Sequence, residues 1–482
     1  MSKVSIKKNF AYQMVYEVLV LILPFVTSPY ISRVIGPEGL GIYSYSYSIA
    51  YYFVLFSLLG IKNYGNRLIA QVRDDQTKLK EKFTNIFAVH ALFSVVCCVV
   101  YIGYVALMGD GKIYAIIMGA YVLSGFFDIS WFYFGIEKFK LTVTINTIIK
   151  IISVICIFTF VRDSNDVWLY CVIMSIGFLL SQIALWVPLH NYVRFVKPNW
   201  KEMFVHVKPL IILFIPAVAV SLYKYMDKIM IGILSSNTQL GYYENSEKVI
   251  NMPLTIISSF GIVMLPKMSN LAKSANNSTS LRYIKLSIQF VMCLAVGLTF
   301  GLAGVAMVFA PVFWGNGFRE CGHLIIGLAL TIPFIAFANV IRTQYLIPNS
   351  KDKEYLISVI AGALINLLIN LTLIPRYGAY GAVIGTIVAE VLVCIIQVFT
   401  VRNELPVKYY IKLTSVYLPV GVIMFVLIHY IGKLLGTHIS TLIIQVGIGG
   451  CLYLLISFIY FYITKNEVFM NSLNSIKTRS RD

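Results

Sequence analysis

Apolar residues run for about 20 positions at a time along nearly the whole chain, the length a helix needs to cross roughly 30 Å of hydrocarbon. The runs are continuous rather than alternating, which selects helices over barrel strands, the only other way to satisfy a backbone in lipid. The pattern predicts about fourteen spans, near residues 11–31, 40–61, 83–108, 113–134, 142–161, 167–189, 209–234, 241–265, 286–310, 322–347, 355–374, 380–400, 413–431 and 440–463. The first run continues through Pro24 and Pro29 without a small-x-small cleavage pattern, so it reads as a span rather than a signal peptide. The expected fold is all-α and polytopic. It comprises an amino-terminal lobe of six helices (1–200), a second lobe of six (201–404), and two further helices with a basic cytoplasmic tail (405–482).

A weak repeat supports two related lobes. Leu40, Gly41, Tyr43 and Ser46 align with Leu240, Gly241, Tyr243 and Ser246, each set opening an even-numbered span after a short turn. Six spans apart preserves orientation, so the halves are parallel repeats related by a pseudo-two-fold along the membrane normal, an architecture that transporters use for a central site.

The polar connections set orientation. Those on one side carry about 28 Lys and Arg and those on the other about 6, which puts both termini in the cytoplasm. The net charge of +18 is therefore mostly a topology signal and gives no ground for a nucleic-acid partner. The eight cysteines show no C-x-x-C spacing and read as small apolar residues.

Ionisable residues within spans are costly in hydrocarbon and usually face a bundle interior or a wet cavity. The seventh span carries Lys224, Asp227 and Lys228 at i, i+3, i+4, and the eighth carries Glu244, Glu247 and Lys248 in the same pattern. Such a set of three bases and three acids either glues a hairpin or forms a gate whose internal pairs exchange for bonds to an anionic substrate. Lys224, Lys228, Lys150 in the fifth span and Arg342 in the tenth are the candidate substrate contacts; Asp227, Glu244, Glu247, Lys248 and Glu390 are the candidates for gating or ion coupling. Glu390 has no base near it in sequence and so suits H⁺ or Na⁺ as a coupling ion. Tyr43, Tyr45, Tyr47, Tyr51 and Tyr52 suit either packing or stacking on sugars. There is no G-x-x-x-x-G-K-[ST] or H-E-x-x-H pattern, and the six histidines are dispersed, which speaks against an ATP motor, a metalloenzyme or any resident metal or cofactor.

With these residues placed, the stretch Ser28-Pro29-Tyr30-Ile31-Ser32-Arg33-Val34-Ile35-Gly36 leading to Gly39-Leu40-Gly41, and Tyr223-Lys224-Tyr225-Met226-Asp227-Lys228-Ile229-Met230-Ile231-Gly232 followed by Leu240-Gly241-Tyr242-Tyr243, resemble bacterial polysaccharide repeat-unit flippases of the Wzx type. These share a superfamily with MATE exporters and the lipid II flippase MurJ. The resemblance implies a two-lobed helical transporter in the bacterial inner membrane, not an enzyme. It would move undecaprenyl-diphosphate-linked oligosaccharide from the cytoplasmic to the outer leaflet by cation-driven alternating access, beside a polymerase and export proteins. A cation-coupled drug exporter and a membrane-embedded transferase or polymerase are the competing readings; the latter usually displays a large outer domain, which this pattern lacks.

Overall fold

The computed structural model describes residues 6–274 and 277–464; the expected basic tail from 465 onward lies outside them. Among the described residues every regular element is helical: α1 Ile6–Leu58, α2 Ile61–Val72, α3 Gln76–Leu107, α4 Lys112–Phe127, α5 Ser130–Gly135, α6 Phe139–Phe160, α7 Val167–Trp186, α8 Trp200–Leu234, α9 Asn237–Lys273, α10 Asn277–Trp314, α11 Glu320–Ala329, α12 Ile332–Ile341, α13 Asp352–Tyr377, α14 Ala379–Val401, α15 Val407–Thr414, α16 Tyr417–Leu435 and α17 Ile439–Ile463. Thirteen stretches among them are long and apolar enough to cross a membrane. The first, Leu23–Val72, takes in the end of the first expected span and the whole of the second, so the fourteen-span pattern is borne out.

That stretch is two helices in one because α1 breaks at Gly36, with φ 68° and ψ −179°. Only glycine occupies this region without strain, and Pro37 then restarts the helix with its φ already set. A Cβ at Gly36 would meet no neighbour within 4 Å, so the conformation alone demands glycine. Gly36→Ala is therefore expected to cost about 1–3 kcal/mol, read as a lowered unfolding temperature of the detergent-solubilised protein with unchanged packing elsewhere.

The chain divides into two compact units, Met1–Gly241 and Tyr242–Asp482, the boundary falling within α9. In the first unit, a Cβ on Gly41 would lie 1.7 Å from the Asn237 carbonyl oxygen, and one on Gly241 would lie 1.8 Å from that of Pro37. The repeated glycine of each sequence half thus packs against the backbone four residues ahead of the other. At the opposite end of α1, Gly60 has φ 75° and sits against the α8 backbone, where its Cβ would be 2.9 Å from the Leu210 carbonyl oxygen. Phe83, Trp131, Phe132 and Tyr133 form a fully buried aromatic layer beneath α2. Its buried donors are satisfied, Trp131 Nε1 to the Asp128 carbonyl at 3.1 Å and Tyr133 Oη to that of Leu185 at 2.6 Å. On α3, by contrast, Leu92, Val95, Val96, Val99, Val100 and Ile102 are all exposed, as side chains that face acyl chains should be.

The second unit is organised on α10. Val296, Val305, Tyr417, Met424, Ile428 and Tyr453 cluster there, joining α16 and α17 to α10. Gly297 admits the Tyr453 ring, Gly304 the Ile428 side chain and Gly421 the Phe300 ring, each closer than a Cβ would allow. Small residues permit this approach where packing rather than water exclusion holds helices together. A second pair, α13 and α14, is joined by a turn at Gly378 with φ 57°. Its seam is polar: Gln397 Nε2 donates to Ser358 at 3.1 Å, Asn370 to Asn366 at 3.0 Å, and Gly385 makes room for the Asn370 amide.

The connections at one end of this unit are tied by Glu404, which accepts from Lys351 Nζ at 2.5 and 2.6 Å and from Tyr345 Oη at 2.5 Å. The Lys351 ammonium, then the Tyr345 hydroxyl, hold the Glu404 carboxyl below its usual range. A carboxylate depressed by folding adds stability that is fully present above its unfolded value, about 4.3, and lost as pH falls through the folded value. The pair is part-exposed, so Glu404→Gln should lower stability at neutral pH by less than about 1 kcal/mol. The gap between variant and wild type should close as pH falls through the folded value and the wild-type carboxylate protonates; a gap in unfolding temperature that does not narrow with falling pH would contradict this account.

Candidate functional site

The first unit gathers aromatic rings from four helices onto one wall. On α1, Tyr43, Tyr47 and Tyr51 recur every fourth residue, which keeps them on one face. Tyr47 stacks on Tyr121 of α4 with ring centroids 5.0 Å apart, Tyr51 stacks on Tyr225 of α8 at 4.1 Å, and Phe178 of α7 closes on Tyr121 at 4.7 Å. Tyr52 Oη donates to the Ser221 carbonyl at 3.1 Å, fixing α1 against α8. Tyr47, Tyr51 and Tyr225 remain half-buried, so part of each ring is accessible.

Two cations lie near this wall. Lys228 Nζ lies 5.4 Å from the centroid of the Tyr225 ring, a favourable placement over a negative π face. Lys62, the second residue of α2, lies within electrostatic reach of the Tyr47 and Tyr51 hydroxyls. Its ammonium pairs with Asp128 at 3.3 Å, and the two side chains differ sharply in access, 58% for Lys62 and 7% for Asp128. Asp128 closes α4 at its C-terminal end and accepts from the Ser130 amide at 3.0 Å and the Ser130 hydroxyl at 2.5 Å. The buried carboxylate is thus held in place while the ammonium it anchors stays open to solvent. His90 of α3 lies close behind the pair and is buried.

The residues singled out from sequence fall in several places. In the first unit, Lys224 is exposed, Asp227 buried and Lys228 half-buried, so the three share a helix but not an environment; Lys150 is half-buried on α6. In the second unit, Lys248 pairs with Glu244 one turn earlier at 3.3 Å, and Glu247 is half-buried beside them. Arg342 opens a π-helical turn, Arg342–Leu346, donates to Tyr355 Oη at 3.3 Å and lies 5.4 Å from that ring. Glu390 is buried on α14, one turn from Thr386 on one side and from Cys394 on the other; Thr386 in turn meets Tyr243 Oη at 3.2 Å.

Sequence reasoning did not find the Lys62–Asp128 pair. Lys62 falls at the end of a span and reads as a topology signal, and Asp128 reads as an interfacial residue. The one hint is opposite charge near the ends of two spans. Among the described residues no group of three or more His, Cys, Asp or Glu is arranged to hold a metal ion.

Comparison with known proteins adds the following. The family described as "Polysaccharide biosynthesis protein" matches residues 6–272. The capsular polysaccharide biosynthesis protein CapF of Staphylococcus aureus is 24% identical over 400 residues, covering 80% of this chain and 96% of that one. Among solved structures, the lipid II flippase MurJ in an inward closed conformation superposes with a TM-score of 0.75 at 16% identity, covering 95% of this chain and 100% of MurJ. An inward-facing multidrug resistance transporter of the MATE family superposes with a TM-score of 0.60 at 12% identity, over 82% and 95% of the two chains.

Proposed function

We propose, from the premise that the chain belongs to the family of polysaccharide biosynthesis proteins, that it flips undecaprenyl-diphosphate-linked oligosaccharide from the cytoplasmic to the outer leaflet of the bacterial inner membrane. The observation that carries this reading is the half-buried tyrosine wall with Lys228 over the Tyr225 ring and Lys62 within electrostatic reach of Tyr47 and Tyr51. Aromatic faces stack on sugar rings, and ammonium groups compensate a diphosphate that would otherwise enter a low-dielectric region alone. No bond needs to form or break; the lipid tail stays in the bilayer while the polar head crosses. Lys62 is held by a carboxylate rather than left bare, so a phosphate competes for it instead of being trapped, which suits a carrier that must release its cargo.

Lys224, exposed one turn from Lys228, extends the cationic side of this site, and Lys150 and Arg342 are further candidate contacts. Asp227 in the first unit and, separately, Glu244, Glu247 and Lys248 in the second are the candidates for gating. Glu390, buried on α14, is the candidate for binding H⁺ or Na⁺ and coupling the cycle to a cation gradient. Both termini lie in the cytoplasm on this reading, with a polymerase and export proteins receiving the flipped units.

The deciding experiment deletes the gene and measures which leaflet holds lipid-linked oligosaccharide, by its accessibility to an external glycosidase. Accumulation of completed units facing the cytoplasm, with loss of surface polysaccharide, is the expected result. Unchanged lipid-linked pools and surface glycan would refute the substrate assignment and favour the drug-exporter reading.

A further inference from the structure

A second cationic feature lies at one end of the second unit. Between Glu247 and Glu320 the sequence contains no acidic residue, yet it contains Lys267, Lys273, Arg282 and Lys285; between Glu404 and Glu467 it again contains none, yet it contains Lys408 and Lys412. The fold brings these two stretches together, because α10 packs against α15. Lys267 Nζ of α9 lies 3.7 Å from the centroid of the Tyr283 ring, and Lys285, two residues further on α10, lies 5.5 Å from that of Tyr409 on α15. Glu404, the acid preceding α15, is already occupied by Lys351 and Tyr345.

The helix α15 has the form of an interfacial element. Val407, Tyr410 and Thr414 are buried, at i, i+3 and i+7, whereas Lys408, Tyr409, Ile411 and Lys412 are exposed. Exposed apolar and aromatic side chains interleaved with lysines suit the boundary between acyl chains and headgroups, where the apolar parts dip and the ammonium groups stay wet. The sequence-derived topology puts this end on the cytoplasmic side, the leaflet that attracts polybasic surface.

We propose that the α10–α15 corner is a binding site for an anionic phospholipid headgroup. Lys285, Lys408 and Lys412 meet its phosphate, and Tyr409 and Ile411 enter the adjoining acyl region. Charge complementarity selects this occupant: the corner's sequence is cationic without acids to neutralise it, and a zwitterionic headgroup carries no net charge to compensate it. The proposal is independent of what the protein transports.

The test uses the full chain in nanodiscs of phosphatidylcholine with increasing phosphatidylglycerol, counting retained lipids by native mass spectrometry. Each lysine near an anionic surface contributes about fivefold in affinity, so Lys285→Gln/Lys408→Gln/Lys412→Gln should weaken phosphatidylglycerol retention on the order of a hundredfold. The same positions as arginine should restore it, and high salt should weaken the wild type. A second triple, Lys78→Gln/Arg194→Gln/Lys197→Gln in the first unit, should retain phosphatidylglycerol like wild type, and all variants should elute as wild type on size exclusion. Equal retention of phosphatidylglycerol by wild type and the first triple, or equal retention of the two phospholipids by wild type, overturns the proposal. So does stoichiometric displacement by undecaprenyl diphosphate, which would make the corner a place for the transported lipid instead.

Discussion

Gly41→Val is expected to eliminate surface polysaccharide while leaving the apolar pattern of the chain unchanged. A Cβ at Gly41 would lie 1.7 Å from the Asn237 carbonyl oxygen, about half a normal contact, and the obstruction is backbone, which cannot rotate away as a side chain would. Relief requires α1 and the start of α9 to separate, and the reciprocal contact of Gly241 with Pro37 separates with them. Overpacking by a methylene or two ordinarily costs about 1–3 kcal/mol, and a collision between backbones has no cheaper rearrangement, so the loss should exceed that. Even Gly41→Ala should disturb the crossing, with Gly41→Val the more severe. Surface polysaccharide in a deletion strain complemented with each variant, together with unfolding temperature in detergent, measures both consequences. Wild-type behaviour of Gly41→Val would mean that the crossing is dispensable.

Lys62→Ala is expected to impair both stability and transport, and the two can be separated. Removing the ammonium leaves the Asp128 carboxylate buried with only the Ser130 bonds. Losing a hydrogen bond to a charged group costs about 1.5–3 kcal/mol, and the exposure of Lys62 keeps the figure below that of breaking a fully buried pair. Adding Asp128→Asn removes the uncompensated charge and should restore most of the stability. Transport should not return if Lys62 meets a substrate phosphate as proposed, since that phosphate then lacks its partner: one charge-assisted bond of that size corresponds to roughly tenfold to a hundredfold in affinity. Unfolding temperature and surface polysaccharide of the single and double variants give the comparison. If the double variant recovers both, the pair is a structural tie and Lys228 is left as the one cation assigned to the tyrosine wall.

The repeat Leu40-Gly41 and Leu240-Gly241 was visible as a pattern, but its meaning was not. Local sequence shows a glycine opening a helix and is silent on which backbone will press against it. The seventh-span charges illustrate the same limit: helical spacing correctly puts Lys224, Asp227 and Lys228 on one helix, and only packing distinguishes the exposed Lys224 from the buried Asp227. The tyrosines of α1 were legible as a periodic stripe open to two explanations. Their partners, Tyr121, Phe178 and Tyr225, come from three other helices that no spacing connects to them.

The sequence by itself determined the solvent, the number of spans and the family. Hydrocarbon thickness fixes how many consecutive apolar residues a helix needs, and the motifs around Gly36 and Asp227 carry the resemblance that the family match bears out. Only the tertiary structure decided that Lys62 and Asp128 meet, because they stand 66 residues apart, at the start of α2 and the end of α4, and a lysine at a span edge looks the same in sequence whether it faces headgroups or a carboxylate. Helix formation in a membrane is a local requirement, met by each segment's own backbone hydrogen bonds, and so it is written in each segment; which faces then meet depends on close packing between segments, and that belongs to no segment alone.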